Sequence, residues 1–264
     1  MVRGLYTAAA GALVAQSAVD NVANNLANVN TNGFKRALLQ VQSQPLRDVY
    51  RAQTDPGHTS GARIDGVATL AYVGKVGSGA QVYDTPAVYE QGALAATGND
   101  LDVALSGPGF FAVRAGNDAL RYTRDGAFER DANGYLTAQN GDRVLGRNGA
   151  PIALPATGKV GIARDGTISV DGRAYDRLNV VEFANPAALR PEGANRFVDA
   201  GAGGRAATAT TAVQGSLEKS NSDVVRSMVD LITNERWFDA NEKVIQTEDD
   251  ANGIAISTLG RTNA

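Results

Sequence analysis

His58 is the one histidine among 264 residues, and cysteine is absent. A Ser–His–Asp site would have to assemble around it, inside Asp55-Pro56-Gly57-His58-Thr59-Ser60-Gly61, which has the composition of a loop. Lack of cysteine excludes disulfides, iron–sulfur clusters, thiolate zinc sites and cysteine nucleophiles. Gly107-Pro108-Gly109-Phe110-Phe111-Ala112 imitates a dinucleotide fingerprint, but proline occupies the turn and a strand-like run follows where a helix is required. Asp131-Ala132-Asn133-Gly134 imitates a calcium loop, but its glycine comes too early and no glutamate closes the twelve-residue pattern. There is no Walker A sequence. A net charge of −3 with no run of Lys or Arg argues against a nucleic-acid partner. The expectation is a chain with no catalytic residue, cofactor, metal or small-molecule substrate.

The side chains that stand out are amides. Asn21, Asn24, Asn25, Asn28, Asn30 and Asn32 crowd into one short stretch. Asn21/Asn25, Asn24/Asn28 and Asn28/Asn32 are i,i+4 neighbours on a helix. Asn is a poor interior helix residue because its amide competes for the backbone. Two readings follow: a fraying helix end with capping amides, or hydrogen bonds to neighbouring helices that fix register.

The element carrying these amides is a helix over residues 1 to about 33. Leu5, Ala8, Ala12, Ala15, Val19, Val22, Leu26 and Val29 recur in alternating steps of three and four, a heptad seam. It is about 40 Å long at 1.5 Å per residue. Its alanines offer little area but allow close backbone approach. Gly33 suits a left-handed C-cap, with Phe34 as the accompanying apolar contact. A second long helix ends the chain. Val224, Leu231, Phe238, Ile245 and Leu259 fall at multiples of seven, and Val225, Met228, Ile232, Trp237, Val244 and Ile256 widen the stripe. Ser220, Asn221 or Ser222 can cap it, with Asp223 in the first turn. This helix is acidic.

Between the helices the pattern is β. Val41 to Ala52 reads as a short helix or strand, and Val67 to Val73 as a strand. From Leu101 the alternation has period two. Gly116-Asn117, Asp125-Gly126, Asn133-Gly134, Asn140-Gly141, Asn148-Gly149, Asp165-Gly166 and Asp171-Gly172 punctuate it, mostly with the chemistry of type I′ hairpins. Residues 184 to 215 read as loop. The start of the chain lacks a charged n-region before an apolar core, so no cleaved signal peptide is expected. No stretch of 18 apolar residues exists to span a membrane.

The stretch Ala23-Asn24-Asn25-Leu26-Ala27-Asn28, followed by Asn30-Thr31-Asn32-Gly33-Phe34-Lys35-Arg36, resembles the N-terminal signature of the flagellar rod and hook proteins. Val76–Val82, Asp84–Asn99, Tyr122-Thr123-Arg124-Asp125-Gly126-Ala127-Phe128, Met228-Val229-Asp230-Leu231-Ile232, Arg236-Trp237-Phe238 and Lys243-Val244-Ile245 resemble further segments of that family. The length suits a rod protein, since hook and junction proteins are usually longer. The resemblance implies an α+β fold: long N- and C-terminal helices forming a coiled-coil-like assembly region around a central, all-β, antiparallel, hairpin-rich domain. Its divisions would be an assembly helix and signature at 1–36, an extended connector at 37–99, the β domain at 100–205, and a return segment with the second assembly helix at 206–264.

Two unpaired apolar helices at the ends of one chain suit a contact that repeats without closing, and hence a filament. The competing arrangement is a helical hairpin within one subunit. The resemblance implies a structural subunit of the basal-body rod, transmitting torque to the hook for motility. It implies partners too: copies of itself, other rod and hook proteins, the basal-body rings, and the flagellar type III export apparatus that would deliver it. The interface would comprise the seam residues Leu5, Ala8, Ala12, Ala15, Val19, Val22, Leu26 and Val29, then Asn24, Asn25, Asn28, Gly33 and Phe34. On the second helix it would take Val224, Met228, Leu231, Ile232, Phe238 and Ile245. A different class remains open here: a secreted β-rich binding module that its helices merely oligomerise.

Overall fold

A computed structural model describes residues 2–44, 47–52, 63–64, 67–68, 70–76, 79–116 and 118–261. His58, its Gly/Pro/Ser loop, the Gly77-Ser78 part of the glycine-bearing segment and Asn117 lie outside the described residues. Helix α1 spans Val2–Ala27 and α2 spans Val224–Arg261, with antiparallel β structure between them. No helix among the described residues is long and apolar enough to cross a membrane.

Two compact units form. One contains residues 1–21, 39–84 and 229–264; the other contains 22–38 and 85–228. In the first, α1 and α2 run antiparallel, with Gly4 against Glu248 and Gly11 against Asn241. Gln40–Ser43 pairs with Ala80–Asp84, and Arg47–Ala52 with Leu70–Val76. Two strands therefore lie among the described residues from Val41 to Ala52.

The second unit is built on a nine-stranded sheet around Gly109–Arg114. This strand pairs with Leu120–Thr123 along one edge, and with Arg143–Val144 and Val180–Phe183 end to end along the other. Its side chains alternate between faces, as strand geometry requires. Phe111 and Val113 join one buried cluster with Phe128, Leu136, Ile152 and Ile168. Phe110 and Ala112 join another with Tyr122, Phe183 and Phe197. Both faces are covered, so the strand reads as a continuous apolar run. Aromatic rings pack edge to face in both clusters, Phe111 on Phe128 at 4.9 Å and Tyr122 on Phe183 at 4.8 Å.

The turns depart from the hairpin expectation. Type I′ geometry needs positive φ at both central residues. Among the expected dipeptides whose two residues are both described, only Asp171-Gly172 has it, at 51° and 82°. At Gly134, Gly141, Gly149 and Gly166 only the glycine is left-handed. Each of these glycines donates its N–H to the carbonyl three residues back, at 2.8–3.0 Å, and that same earlier residue donates its N–H to the carbonyl after the glycine. This is a type I turn followed by a left-handed bulge residue. Asp125-Gly126 is no hairpin, because Leu120–Thr123 and Phe128–Arg130 do not pair with each other.

Residues 184–215 are not a loop. They hold a 3₁₀ turn at Pro186–Ala188 and strands at Leu189–Gly193, Arg196–Asp199, Gly204–Ala206 and Thr211–Gln214. Pro191 obscured the first of these strands, and it sits on the sheet's edge, where a missing N–H costs least. Ala194-Asn195 makes the hairpin turn, with φ of 48° and 58°.

Candidate assembly site

The predicted assembly residues are divided between the two units, the helix pair lying mainly in one and the segment after α1 in the other. Along α1, Ala8, Val14, Ala15 and Ala18 are buried, while Leu5, Ala12, Val19, Val22 and Leu26 are half-buried. Gly4 and Gly11 sit one heptad apart and meet Glu248 and Asn241, themselves one heptad apart. A Cβ on either glycine would come within 2.7 Å of those side chains, so small residues set the spacing of the helix pair. Tyr6 and Leu13 remain 68% and 71% exposed.

On α2 the half-buried positions are Leu231, Asn234, Phe238, Asn241, Ile245, Glu248, Asn252 and Ala255. Their steps alternate three and four. The predicted Leu231, Phe238 and Ile245 occupy one heptad position. The other position is filled by Asn234, Asn241, Glu248 and Ala255, and its polar residues hid it from an apolar count. Val224, Met228 and Ile232, also predicted, are exposed. With Val225 and Val229, the last two form an i,i+3,i+4,i+7 stripe on the face away from the seam. Leu259 has no described side chain.

The residues after α1 form a clasp. The helix stops at Ala27, short of the expected 33, where Asn28 Nδ2 back-bonds to the Asn24 carbonyl at 2.9 Å. Thr31 Oγ1 then donates to Asn28 Oδ1 at 3.2 Å. Asn25 is buried and holds both backbone polar groups of Ala37: its Nδ2 donates to the carbonyl at 2.9 Å and its Oδ1 accepts the N–H at 2.8 Å. These amides act as helix-end caps and as ties within the chain. Val29 and Phe34 are half-buried and Asn24 is exposed.

Gly33 is left-handed, with φ of 67°, but it lies six residues beyond the helix and is not its C-cap. Its N–H donates to the Glu218 carbonyl at 2.7 Å. A Cβ there would lie 2.5 Å from the Arg124 carbonyl carbon, so only glycine lets this backbone pass. Asp223, expected in the first turn of α2, caps it instead: its Oδ1 accepts the Arg226 N–H at 2.8 Å. Asn221 is occupied elsewhere. Its Oδ1 accepts the Arg36 N–H at 2.8 Å and its Nδ2 donates to the Val88 carbonyl at 2.8 Å.

Beneath the clasp lies a buried ion cluster. Glu218 Oε1 accepts from Lys35 Nζ at 2.6 Å and from the Gly92 N–H at 2.9 Å, while Oε2 accepts from an Arg124 terminal nitrogen at 3.1 Å. All three charged side chains are at most 1% exposed. Lys35 also donates to the Glu90 carbonyl, and Arg124 to the Gly107 carbonyl. The Arg124 guanidinium stacks 4.8 Å from the Phe110 ring centre. Its Nε has no hydrogen-bond partner among the described residues. Burial lowers the pKa of both cations from their ordinary values, against the pull of the Glu218 carboxylate. Burial pushes Asp125 up, opposed by the Ala127 N–H. A groove of about 610 Å³ adjoins the clasp, lined by Asn24, Asn28, Phe34, Thr123, Asn140 and Phe197 among others.

Sequence reasoning did not single out Lys35, Arg124 or Glu218 as a group. They are 183 and 94 positions apart in the two pairs that Glu218 makes. No local spacing encodes them, yet Lys35 and Arg124 stand inside stretches that carry the family resemblance.

The chain is similar to known proteins along its length. Family models described as Flagella basal body rod protein, Flagellar hook protein FlgE/F/G D1 domain and Flagellar basal body rod FlgEFG protein C-terminal match residues 5–35, 104–170 and 213–258. The flagellar basal-body rod protein FlgG of Agrobacterium fabrum is 34% identical over 97% of this chain and 99% of its own length. The FlgG of Bacillus subtilis is 33% identical, with 95% and 96% covered. The FlgF of Caulobacter vibrioides is 30% identical, with the whole of both chains covered.

Proposed function

Because the chain belongs to the flagellar basal-body rod protein family, we propose that its two terminal helices join copies of it into the axial drive shaft that turns the hook. The chain is a structural subunit of the bacterial flagellar basal body, a component of motility and not an enzyme. It assembles with itself and with other flagellar components. That family membership decides against a secreted binding module. In the proposed division, 1–36 and 206–264 are the assembly segments, 37–99 connects them, and 100–205 is the β domain. Hook proteins, basal-body rings and the type III export apparatus are the further partners.

The observation that carries the assembly reading is the unequal coverage of α2. Its 38 residues include a single buried one among those described, Ser227. Pairing with α1 half-covers Leu231, Phe238 and Ile245. Val225, Met228, Val229, Ile232, Ile254 and Ile256 stay between 49% and 72% exposed. An apolar face of this length is unusual on a chain that works alone. Leu5, Ala12, Val19, Val22, Leu26 and Val29 would take part through their uncovered edges. Ala8 and Ala15 would act by holding the helix pair. Asn24, Asn25, Asn28, Gly33 and Phe34 would act through the clasp.

The test is charge placed on the open face. Met228→Glu with Ile232→Glu should leave thermal unfolding within about 0.5 kcal/mol, as exposed substitutions do. It should also abolish concentration-dependent polymers in sedimentation and fail to restore swimming to a strain lacking the subunit. Unchanged polymers and motility would remove α2's open face from the assembly contact.

A further inference from the structure

Glu218 serves four groups from three distant parts of the chain. Its carbonyl takes the Gly33 N–H, one carboxylate oxygen takes Lys35 and Gly92, and the other takes Arg124. It arrives on a strand, Ser216–Glu218, whose backbone partner is Leu94–Ala96. Without that strand, the carboxylate that pairs both cations is missing, and Lys35 and Arg124 are left with the Glu90 and Gly107 carbonyls and the more distant Glu90 charge. Two buried like charges are not sustained by carbonyl contacts, so the segment bearing Lys35 has no stable berth. The geometry points to Glu218 as a folding-order latch: the N-terminal signature docks on the β domain only when the return strand docks.

A buried ion pair is poor evidence of added stability, and specifying one arrangement over others is its better-attested role. The latch fits that role. With Glu218 in place Lys35 is fully buried and ion-paired, and Arg124 keeps its charge over all ordinary pH. Gly33 adds a second dependence, because its N–H needs the carbonyl of the same residue. The N-terminal side of the contact comes early in the chain, and the residue that permits it comes 183 positions later. Chain emerging from its N-terminus would therefore hold its signature undocked until position 218 has emerged too. This inference concerns folding within one subunit and stands apart from the assembly reading.

The test is pulse-labelled hydrogen exchange during refolding of the full chain, read by mass spectrometry. Peptides covering 31–38, 88–94 and 214–221 should gain protection in one phase, with Gly109–Arg114 free to precede them. Protection of 31–38 ahead of 214–221 would overturn the latch. In native Glu218→Gln, amides in 31–38 should exchange about a hundredfold faster while Gly109–Arg114 stays protected. Wild-type exchange at 31–38 in that variant would also overturn it. Lys35→Met combined with Glu218→Gln leaves one cation and should recover most of the protection. No recovery would mean that packing, not charge, sets the order. Should Glu218→Gln fail to fold, the wild-type order and the double variant still decide.

Discussion

The β domain and helix α2 use their apolar residues in opposite ways. In the domain, Phe110, Phe111, Phe128, Leu136 and Ile168 are at most 1% exposed. Arg124, a charge buried in it, is paired within the chain by Glu218. Along α2, the best-covered apolar residues are only half-buried, and five are at least half exposed: Val225, Val229, Ile232, Ile254 and Ile256. The domain's hydrophobic driving force is consumed in folding one chain. That of α2 is left over for something outside it. A subunit that must be rigid and also polymerise can keep these requirements apart by giving each to a different region.

If this contrast is right, substitutions in the two regions should fail differently. The largest effect belongs to the core. Phe111→Ala removes a ring that is fully buried and packed on Phe128 at 4.9 Å, and should cost about 3–5 kcal/mol. The loss should appear as accelerated hydrogen exchange across Gly109–Arg114 and a lowered urea midpoint. Fluorescence of Trp237, the only tryptophan and a residue of α2, should report a helix transition that moves less. Equal shifts in both probes would mean that domain and helix unfold as one unit, and the contrast would be one of exposure alone.

The next effect in size tests the clasp. Gly33→Ala forces a Cβ into the left-handed region and against the Arg124 backbone, and should cost about 1–3 kcal/mol. It should be read in the same urea titration. A variant that unfolds like wild type yet fails to restore swimming would move Gly33 from the clasp to the contact between subunits. That would shift the boundary between the two regions into the signature.

What the sequence disclosed follows the same divide. Both helices were visible because Leu231, Phe238 and Ile245 repeat at seven and because α1's alanines keep a steady step. The polar half of the α2 seam was invisible, since Asn234 and Asn241 look like surface residues until a partner helix covers them. The β domain was legible as β from its turns. Its turn types were misjudged because Asn-Gly suits both a type I′ pair and a type I turn ending in left-handed glycine. The hairpin of Leu189–Gly193 and Arg196–Asp199 was missed because an edge proline and an Ala-Asn turn carry none of the usual marks. The ion cluster was beyond local reading, since its members meet only in three dimensions.

The smallest effect probes the closed domain through its titration. Burial pushes Tyr89 up to about 12, from an ordinary phenol value of 10.0. Between those values the unfolded chain releases its proton and the folded one keeps it. Tyr89 therefore favours the folded state fully below pH 10, and that contribution disappears as pH rises toward 12. Tyr122, also raised by burial, adds to the same alkaline limb. Tyr89→Phe should flatten the limb in part. At neutral pH it should cost only about 1 kcal/mol, for the hydrogen bond from its hydroxyl to the Leu189 carbonyl. The readout is urea midpoint against pH, followed by exchange at Gly109–Arg114. Because Tyr89 packs on Phe110 and Phe197, its titration reports on the domain's own core. If the variant keeps the wild-type alkaline slope, Tyr89 is more open to water than its packing implies. The claim that this region is closed would then weaken at the place where its aromatic cluster meets the connecting segment.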